Sequence, residues 1–279
     1  MVRESFNRKT PEERSAPALA HLLLLLNFAA LSTSTITATN VLFDIISAPS
    51  FQDIMSALRD EASNVLRESG GIWTKASVAK LHRLDSVIRE SLRVSGFSGT
   101  GLPRRVKAPD GITLDNGVWI PKGATISVVQ RAIHLDERFY GPRAWEFDAF
   151  RFSRTNELLS EGSKPEEQVV VEMEKDEAVS RKPRRKEDLV TTSPHFLSFG
   201  HGVHAWSVCC QFHIFAMLIY NVSPGRFFAA YQLKLLLVEF ILNYDVQPLD
   251  TRPPNTPLGD FMVPPVTATM RIRRKSRKA

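Results

Sequence analysis

Two adjacent cysteines, Cys209 and Cys210, stand among three histidines, His201, His204 and His213, and thiolates with imidazoles are the side chains that hold soft metal ions. Their spacing matches no recognised zinc pattern, so the set reads poorly as a zinc site. Adjacent cysteines rarely bridge each other and the chain has no others, which excludes a disulfide-built secreted module. Glu90 and Arg93 form E-x-x-R, and a spacing of three puts the two charges on one helix face, where they can pair. Pairs of that kind are commonplace on solvated helices and by themselves imply no function.

The elements that must position these residues follow from pattern. With 279 residues and 43% hydrophobic content the chain can bury a sizeable core. Val78, Leu81, Leu84, Ile88 and Leu92 recur at helical spacing and predict a helix over Ala76 to Val94 that carries Glu90 and Arg93. Phe51 to Glu68 reads as an amphipathic helix. Turns at Pro109-Asp110-Gly111, Asp115-Asn116-Gly117 and Pro121-Lys122-Gly123 divide Val106 to Val129 into short antiparallel strands. A helix from about Phe227 to Asn243 leads into a proline-rich, strand-like tail, and no internal repeat is present. Between Glu161 and Asp188, sixteen of 28 residues are charged with both signs mixed, the composition of a solvated insertion.

Ala16 to Phe43 holds no charged residue. Its apolar part, Leu19 to Leu31, is shorter than the roughly 20 residues that span a bilayer, and Ser32 to Asn40 has seven polar residues in nine. Glu4, Glu12 and Glu13 spoil a signal-peptide n-region. The stretch therefore predicts a long helix buried inside a protein, with Thr10-Pro11-Glu12-Glu13 as a capping box upstream and Pro17 interrupting it after its first turns. The net charge of +6 resides in the last nine residues, where Arg271, Arg273, Arg274, Lys275, Arg277 and Lys278 lie. The body is neutral, so a nucleic-acid-binding face is not expected.

Order along the chain gives the weak pieces joint meaning. Glu90-Ser91-Leu92-Arg93 precedes the Pro103-Arg104-Arg105-Val106 strand, then Phe147-Asp148-Ala149-Phe150-Arg151-Phe152, then Phe199-Gly200-His201-Gly202-Val203-His204-Ala205. This succession, from the Thr10 region to about Leu249, resembles the C-terminal half of a cytochrome P-450, a haem-thiolate monooxygenase, of the fungal microsomal type. The resemblance implies a mainly α fold with a small β region, truncated at the N-terminus, and a single partial domain over residues 1–279. Within it 10–47 is the distal-helix region, 76–94 the E-x-x-R helix, 160–190 the charged insertion, and 196–205 with 224–230 the haem-ligand loop.

By resemblance, Glu90, Arg93 and Arg151 are a structural charge cluster beneath the haem. Arg105 and His204 pair with haem propionates through charge-assisted hydrogen bonds, and Phe199 and Arg226 are the further cofactor-binding residues that the resemblance implies. Ala29-Ala30-Leu31-Ser32-Thr33 fits the family's A-G-x-acid-T pattern, with Thr33 as the catalytic hydroxyl that helps deliver protons and Ser32 where the family has an acid. The cofactor is haem b, the partners are an NADPH-cytochrome P-450 reductase and a hydrophobic small-molecule substrate, and the reaction inserts one oxygen atom from O2, in fungal secondary metabolism. The family resides at the endoplasmic reticulum membrane; this chain shows no clear N-terminal anchor, which leaves its location open.

The resemblance breaks at the metal ligand. After Ala205 the family has cysteine and then Pro-Gly-Arg, because a thiolate must bind iron axially. Here Trp206 to Ser223 intervene before Pro224-Gly225-Arg226-Phe227-Phe228. Cys209 and Cys210 lie inside that stretch, three and four places late, and are not expected to ligate iron. Removing seventeen codons between Trp206 and Ser223 rejoins a cysteine codon at the junction, so 206–223 reads as a translated intron. A second class of function is a non-catalytic truncated remnant of such an enzyme, and a third is a small membrane-anchored binding protein built on Leu19 to Leu31, against which the threonine-rich continuation of that helix argues.

Overall fold

The computed structural model describes residues 15–160, 187–202, 205 and 225–276. The capping box at Thr10, most of the charged insertion, His204, Cys209, Cys210 and the intervening stretch up to Pro224 lie outside the described residues.

Helix α1 (Ala16–Ile46) starts on Ser15, whose hydroxyl accepts from the Ala18 amide at 3.4 Å. Pro17 sits in the first turn of this helix, where a residue needs no intrahelical donor, and the upstream turns that it is expected to interrupt lie outside the described residues. Burial divides α1. Ala38, Val41, Phe43, Ile45 and Ile46 are core, whereas Leu23, Leu24 and Leu31 are exposed, so among the described side chains the expectation of a buried helix holds for the last three turns. The threonines there stay in an apolar helix by bonding one turn back: Thr37 donates to the Thr33 carbonyl and Thr39 to that of Thr35, each at 2.8 Å. No helix among the described residues is long and apolar enough to cross a membrane.

Helix α2 (Phe51–Glu68) buries Phe51, Ile54, Met55, Leu58, Ala62 and Val65, the i, i+3, i+4 stripe its sequence carries. The expected helix over 76–94 is two: α3 (Lys75–Ala79), opened by a reciprocal Thr74–Ser77 capping box, and α4 (His82–Val94). The break comes from outside the segment. The Glu61 carboxylate of α2 accepts from the amides of Arg83 at 2.7 Å and Leu84 at 3.0 Å, capping α4 from a neighbouring helix while Leu81 is driven fully into the core.

Four short strands follow: β1 (Gly101–Arg105), β2 (Ile112–Thr113), β3 (Trp119–Ile120) and β4 (Thr125–Val128), with β1 antiparallel to β4 and β2 to β3. Gly111, Gly117 and Gly123 all take positive φ, the conformation that the three turn signals demand. Short helices α5 (Gln130–His134) and α6 (Glu137–Tyr140) lead to α7 (Arg151–Ser160). Beyond the ligand-loop region, α8 (Gly225–Asn243) packs on α1 and α2, and β5 (Tyr244–Val246) pairs with β8 (Ile272–Arg274) across a β6 (Thr256–Leu258) to β7 (Phe261–Val263) hairpin. The fold is mainly α with small two-stranded sheets, and one hydrophobic core joins α1, α2, α4 and α8.

Candidate functional site

Helix α4 is the hub of the site, with every residue from Leu84 to Ser91 buried, and Arg93 as well. Its apolar positions fill the core shared with α1, α2 and α8, so the charged positions between them face protein too and need protein partners. Glu90 and Arg93 have fully buried side chains and pair bidentately, Arg93 Nε donating to Oε2 at 2.8 Å and Nη2 to Oε1 at 2.6 Å. Arg151, at the first position of α7, donates from Nε to the same Oε1 at 3.0 Å, and the Asp148 amide joins at 3.1 Å. The structure thus brings together Glu90, Arg93 and Arg151, and the pair is not the solvated kind that its spacing alone suggests. Arg93 spends its remaining donors on the carbonyls of His134 at 2.6 Å, Ala144, and Glu146 at 3.3 Å, so all five N–H groups are matched. Arg151 donates to the Tyr140 carbonyl at 2.8 Å. One carboxylate and two guanidiniums therefore pin the whole 134–151 connection to α4.

The same face holds residues that sequence alone did not single out. Arg89 donates to the carbonyls of Asp188 and Thr191, both at 2.7 Å, and its guanidinium lies 3.8 Å from the Phe196 ring centroid and 4.6 Å from that of Phe152. Asp85 accepts from the Leu189 amide at 2.6 Å and pairs with Lys234 of α8. The C-terminal end of the charged insertion, from 187 on, is consequently a packed strap and not a solvated loop, because two α4 side chains bind its backbone. His134 accepts from the Leu197 amide through Nε2 at 2.8 Å and stacks on Phe196. Burial, and then the Arg93 charge beside it, push its imidazole down to about 3, so it is neutral and suited to accept that bond. Burial likewise raises the Tyr140 phenol, which donates to the His195 carbonyl at 2.7 Å. Arg89, His134 and Tyr140 thereby hold the 188–199 segment that runs into the ligand loop. The run Arg89-Glu90 offered a signal, a third charge on a helix whose neighbours are apolar; His134 offered none.

The remaining candidates occupy separate elements. Ser32 and Thr33 are half-buried on α1, and the Thr33 carbonyl accepts from Thr37. Phe199 is in the hydrophobic core. Arg105 is exposed at the end of β1 opposite Thr125, with no hydrogen-bond partner among the described residues. A register shift in β1 and a left-handed Leu102, φ 53°, turn the strand just before it. Arg226, in the first turn of α8, donates from Nη1 to the Ala205 carbonyl at 3.3 Å, while its buried Nε has no partner among the described residues. His201 contacts the Thr192 hydroxyl at 3.4 Å, and no group of three or more metal-binding side chains occurs among the described residues.

This buried E-x-x-R pair with its arginine from the next long helix coincides with a family match: residues 2–205 fit the profile described as Cytochrome P450. The chain belongs to the cytochrome P450 family. It is 33% identical over 286 residues to the cytochrome P450 monooxygenase gloP of Glarea lozoyensis, covering 99% of this chain and 45% of that protein. It is 31% identical to the monooxygenase astC of Aspergillus terreus, covering 99% and 46%, and 34% identical to cytochrome P450 monooxygenase 103 of Postia placenta, covering 92% and 42%. The chain spans less than half the length of these relatives.

A P450 implies haem, and the residues present fit it on one side. Among the described residues Arg105 is an exposed cation without an acid, and the Arg226 Nε is a buried donor without an acceptor; both suit carboxylates such as propionates. The axial side does not fit. No cysteine lies among the described residues, and the residue that follows Ala205 is Trp206, whose indole is a donor only and cannot coordinate iron as a thiolate does.

Proposed function

We propose that this chain is the C-terminal, catalytic half of a haem-dependent monooxygenase that acts on a hydrophobic small molecule of secondary metabolism. The observation that carries the reading is the Glu90–Arg93–Arg151 network, a charge cluster at the core whose members are satisfied by one another and by the backbone of the 134–151 connection. Its geometric effect is specific: it fixes the 134–151 connection, and with Arg89 and His134 the approach to the ligand loop. By family, one atom of O2 enters a C–H bond of the substrate and the other leaves as water, with two electrons from NADPH delivered by a reductase. Within this chain Arg105 and Arg226 hold negative charge, and Thr33 positions a hydroxyl on α1. Haem b is the expected cofactor and the endoplasmic reticulum membrane the expected location.

The test is haem titration of the purified chain. Arg105→Ala is expected to weaken haem binding about tenfold or more, the loss of one hydrogen bond to a charged group. Reduced under carbon monoxide, the chain as written is expected to lack the long-wavelength Soret band of thiolate-ligated haem. Haem affinity indifferent to Arg105 removes the propionate role. A full thiolate spectrum from the unmodified chain shows instead that Cys209 or Cys210 reaches the iron. Trp206 at the ligand position favours a second reading, a non-catalytic remnant, for which no form of the gene product gives that band.

A further inference from the structure

The two borders of the 206–223 stretch lie together in space. The Ala205 carbonyl and Arg226 Nη1 are 3.3 Å apart. An extended arginine holds its guanidinium about 7 Å from Cα, so the Cα atoms of Ala205 and Arg226 are within roughly 13 Å, and four extended residue steps cover about 13–14 Å. Two residues between Ala205 and Gly225 therefore suffice to close a gap that the sequence fills with nineteen. Ala205 itself is held by its amide bond to the Gly202 carbonyl, 3.0 Å, and α8 begins at Gly225.

We propose that the intervening codons are an intron retained in this reading frame, and that their removal writes the cysteine that the site lacks. The inference rests on the P450 reading above. The genetic code makes it sharp. Tryptophan has one codon, TGG, and serine can be AGT or AGC. A cut after TG of codon 206 and another after AG of codon 223 join TG to a T or a C, and both products spell cysteine. The excised piece begins with the last G of TGG followed by Ser207, which as TCN gives the GT of a donor site, and it ends in AG. It is seventeen codons long, so the frame survives with or without it, and translation runs through. The rejoined chain reads Ala205-Cys-Pro224-Gly225-Arg226, a single cysteine placed two positions before Gly225, where α8 begins.

Composition supports the same origin. None of the eighteen residues from Trp206 to Ser223 is Asp, Glu, Lys or Arg, in a chain that is 24% charged. At that rate a solvated surface loop of this length carries about four such residues. Eight of the eighteen, Val208, Phe212, Ile214, Phe215, Met217, Leu218, Ile219 and Val222, require T at the second codon position, the signature of a T-rich tract decoded as protein. Leu218-Ile219 read as CTA-ATT supplies a branch sequence a few codons before the acceptor. The family match ends at Ala205, the residue before the donor site.

The experiment is amplification and sequencing of RNA across codons 200–230 from the organism that carries the gene, with genomic DNA alongside. The expected result is a product fifty-one nucleotides shorter than genomic, joining Ala205 to Cys-Pro-Gly-Arg. Retention of the whole stretch in every transcript overturns the inference, as does a genomic codon 207 of the AGY type or a codon 223 of the TCN type. The family reading fails separately: a rejoined chain, with the junction proven in RNA, that binds haem without the thiolate Soret band leaves the excision standing and removes the haem-thiolate assignment.

Discussion

Helix α4 carries a buried carboxylate system on each of two sides, and they are built differently. On one side Glu90, with no exposure, is gripped by two guanidiniums and a backbone amide, and Arg93 is equally inaccessible. On the other, Asp44 of α1 accepts from Ser91 of α4 at 2.5 Å and from Ser95, which caps that helix, at 2.8 Å, with one guanidinium, Arg252 from the C-terminal tail, whose side chain keeps 25% of its exposure. Asn40 completes that side, accepting from Arg252 at 2.9 Å and donating to the Ser95 carbonyl at 2.8 Å. Two cations over-determine Glu90. One half-wet cation leaves Asp44 adjustable, and burial pushes its carboxyl above the ordinary range even though Arg252 and the hydroxyls pull it back. The Glu90 side is a rivet between α4 and the approach to the ligand loop; the Asp44 side is a joint between α4, α1 and the tail.

Glu90→Ala breaks the contrast most forcefully. It strands Arg93 without a carboxylate in a site closed to water, and the expected loss is about 3–5 kcal/mol in the urea unfolding free energy, or no folded protein at all. Glu90→Gln, which keeps the shape and one acceptor oxygen, should recover part of that loss. Asp44→Asn should cost only about 1–2 kcal/mol, because Arg252 can turn back to solvent. Equal losses for Glu90→Ala and Asp44→Asn would falsify the distinction between rivet and joint.

Acid separates the sides by sign. His134, whose carbonyl accepts from Arg93, is neutral in the fold with its pKa at about 3 against 6.5 unfolded, so the unfolded chain binds the proton first and stability falls as pH drops below 6.5. Between pH 7 and pH 5 the His134 contribution should shrink by about 2 kcal/mol, read as the difference between the wild type and His134→Gln. Asp44 has the opposite slope. Its folded pKa is raised, so the fold takes the proton first and gains stability as pH falls through that raised value toward 3.8. Asp44→Asn abolishes this gain and steepens the acid loss; a variant with an unchanged pH profile would show that Asp44 ionises in the fold as it does in the unfolded chain.

What the sequence made legible follows the same division. The Glu90–Arg93 pair is local, three residues on one helix, and the family order supplied Arg151. The Asp44–Arg252 pair spans 208 positions, with a tail arginine that stands alone among prolines and offers no pattern. No periodicity encodes it. The break between α3 and α4 was likewise illegible, since its cause, the Glu61 carboxylate, belongs to another helix. Pattern read the turns of Val106 to Val129 correctly because Gly111, Gly117 and Gly123 carry their own conformational demand.

The smallest effect tests whether the rivet is one unit. Ser86, one turn before Glu90 on α4, donates to the Ala149 carbonyl at 2.9 Å and accepts from the amides of Phe152 and Ser153, both at 3.1 Å. It is an N-cap for α7 provided by a different helix, four residues ahead of the carboxylate that grips Arg151. Ser86→Ala leaves those amides without their acceptor in a buried first turn, and the expected cost is about 1 kcal/mol. If Ser86 and Glu90 jointly dock α7, the cost should largely vanish in a Glu90→Ala background, where α7 is already loosened, giving a coupling energy of at least about 0.5 kcal/mol. Combined with Asp44→Asn, which shares no partner with Ser86, the two losses should add. Additivity with Glu90→Ala, or coupling to Asp44→Asn, would mean that the two sides of α4 are not the separate devices that their geometry describes.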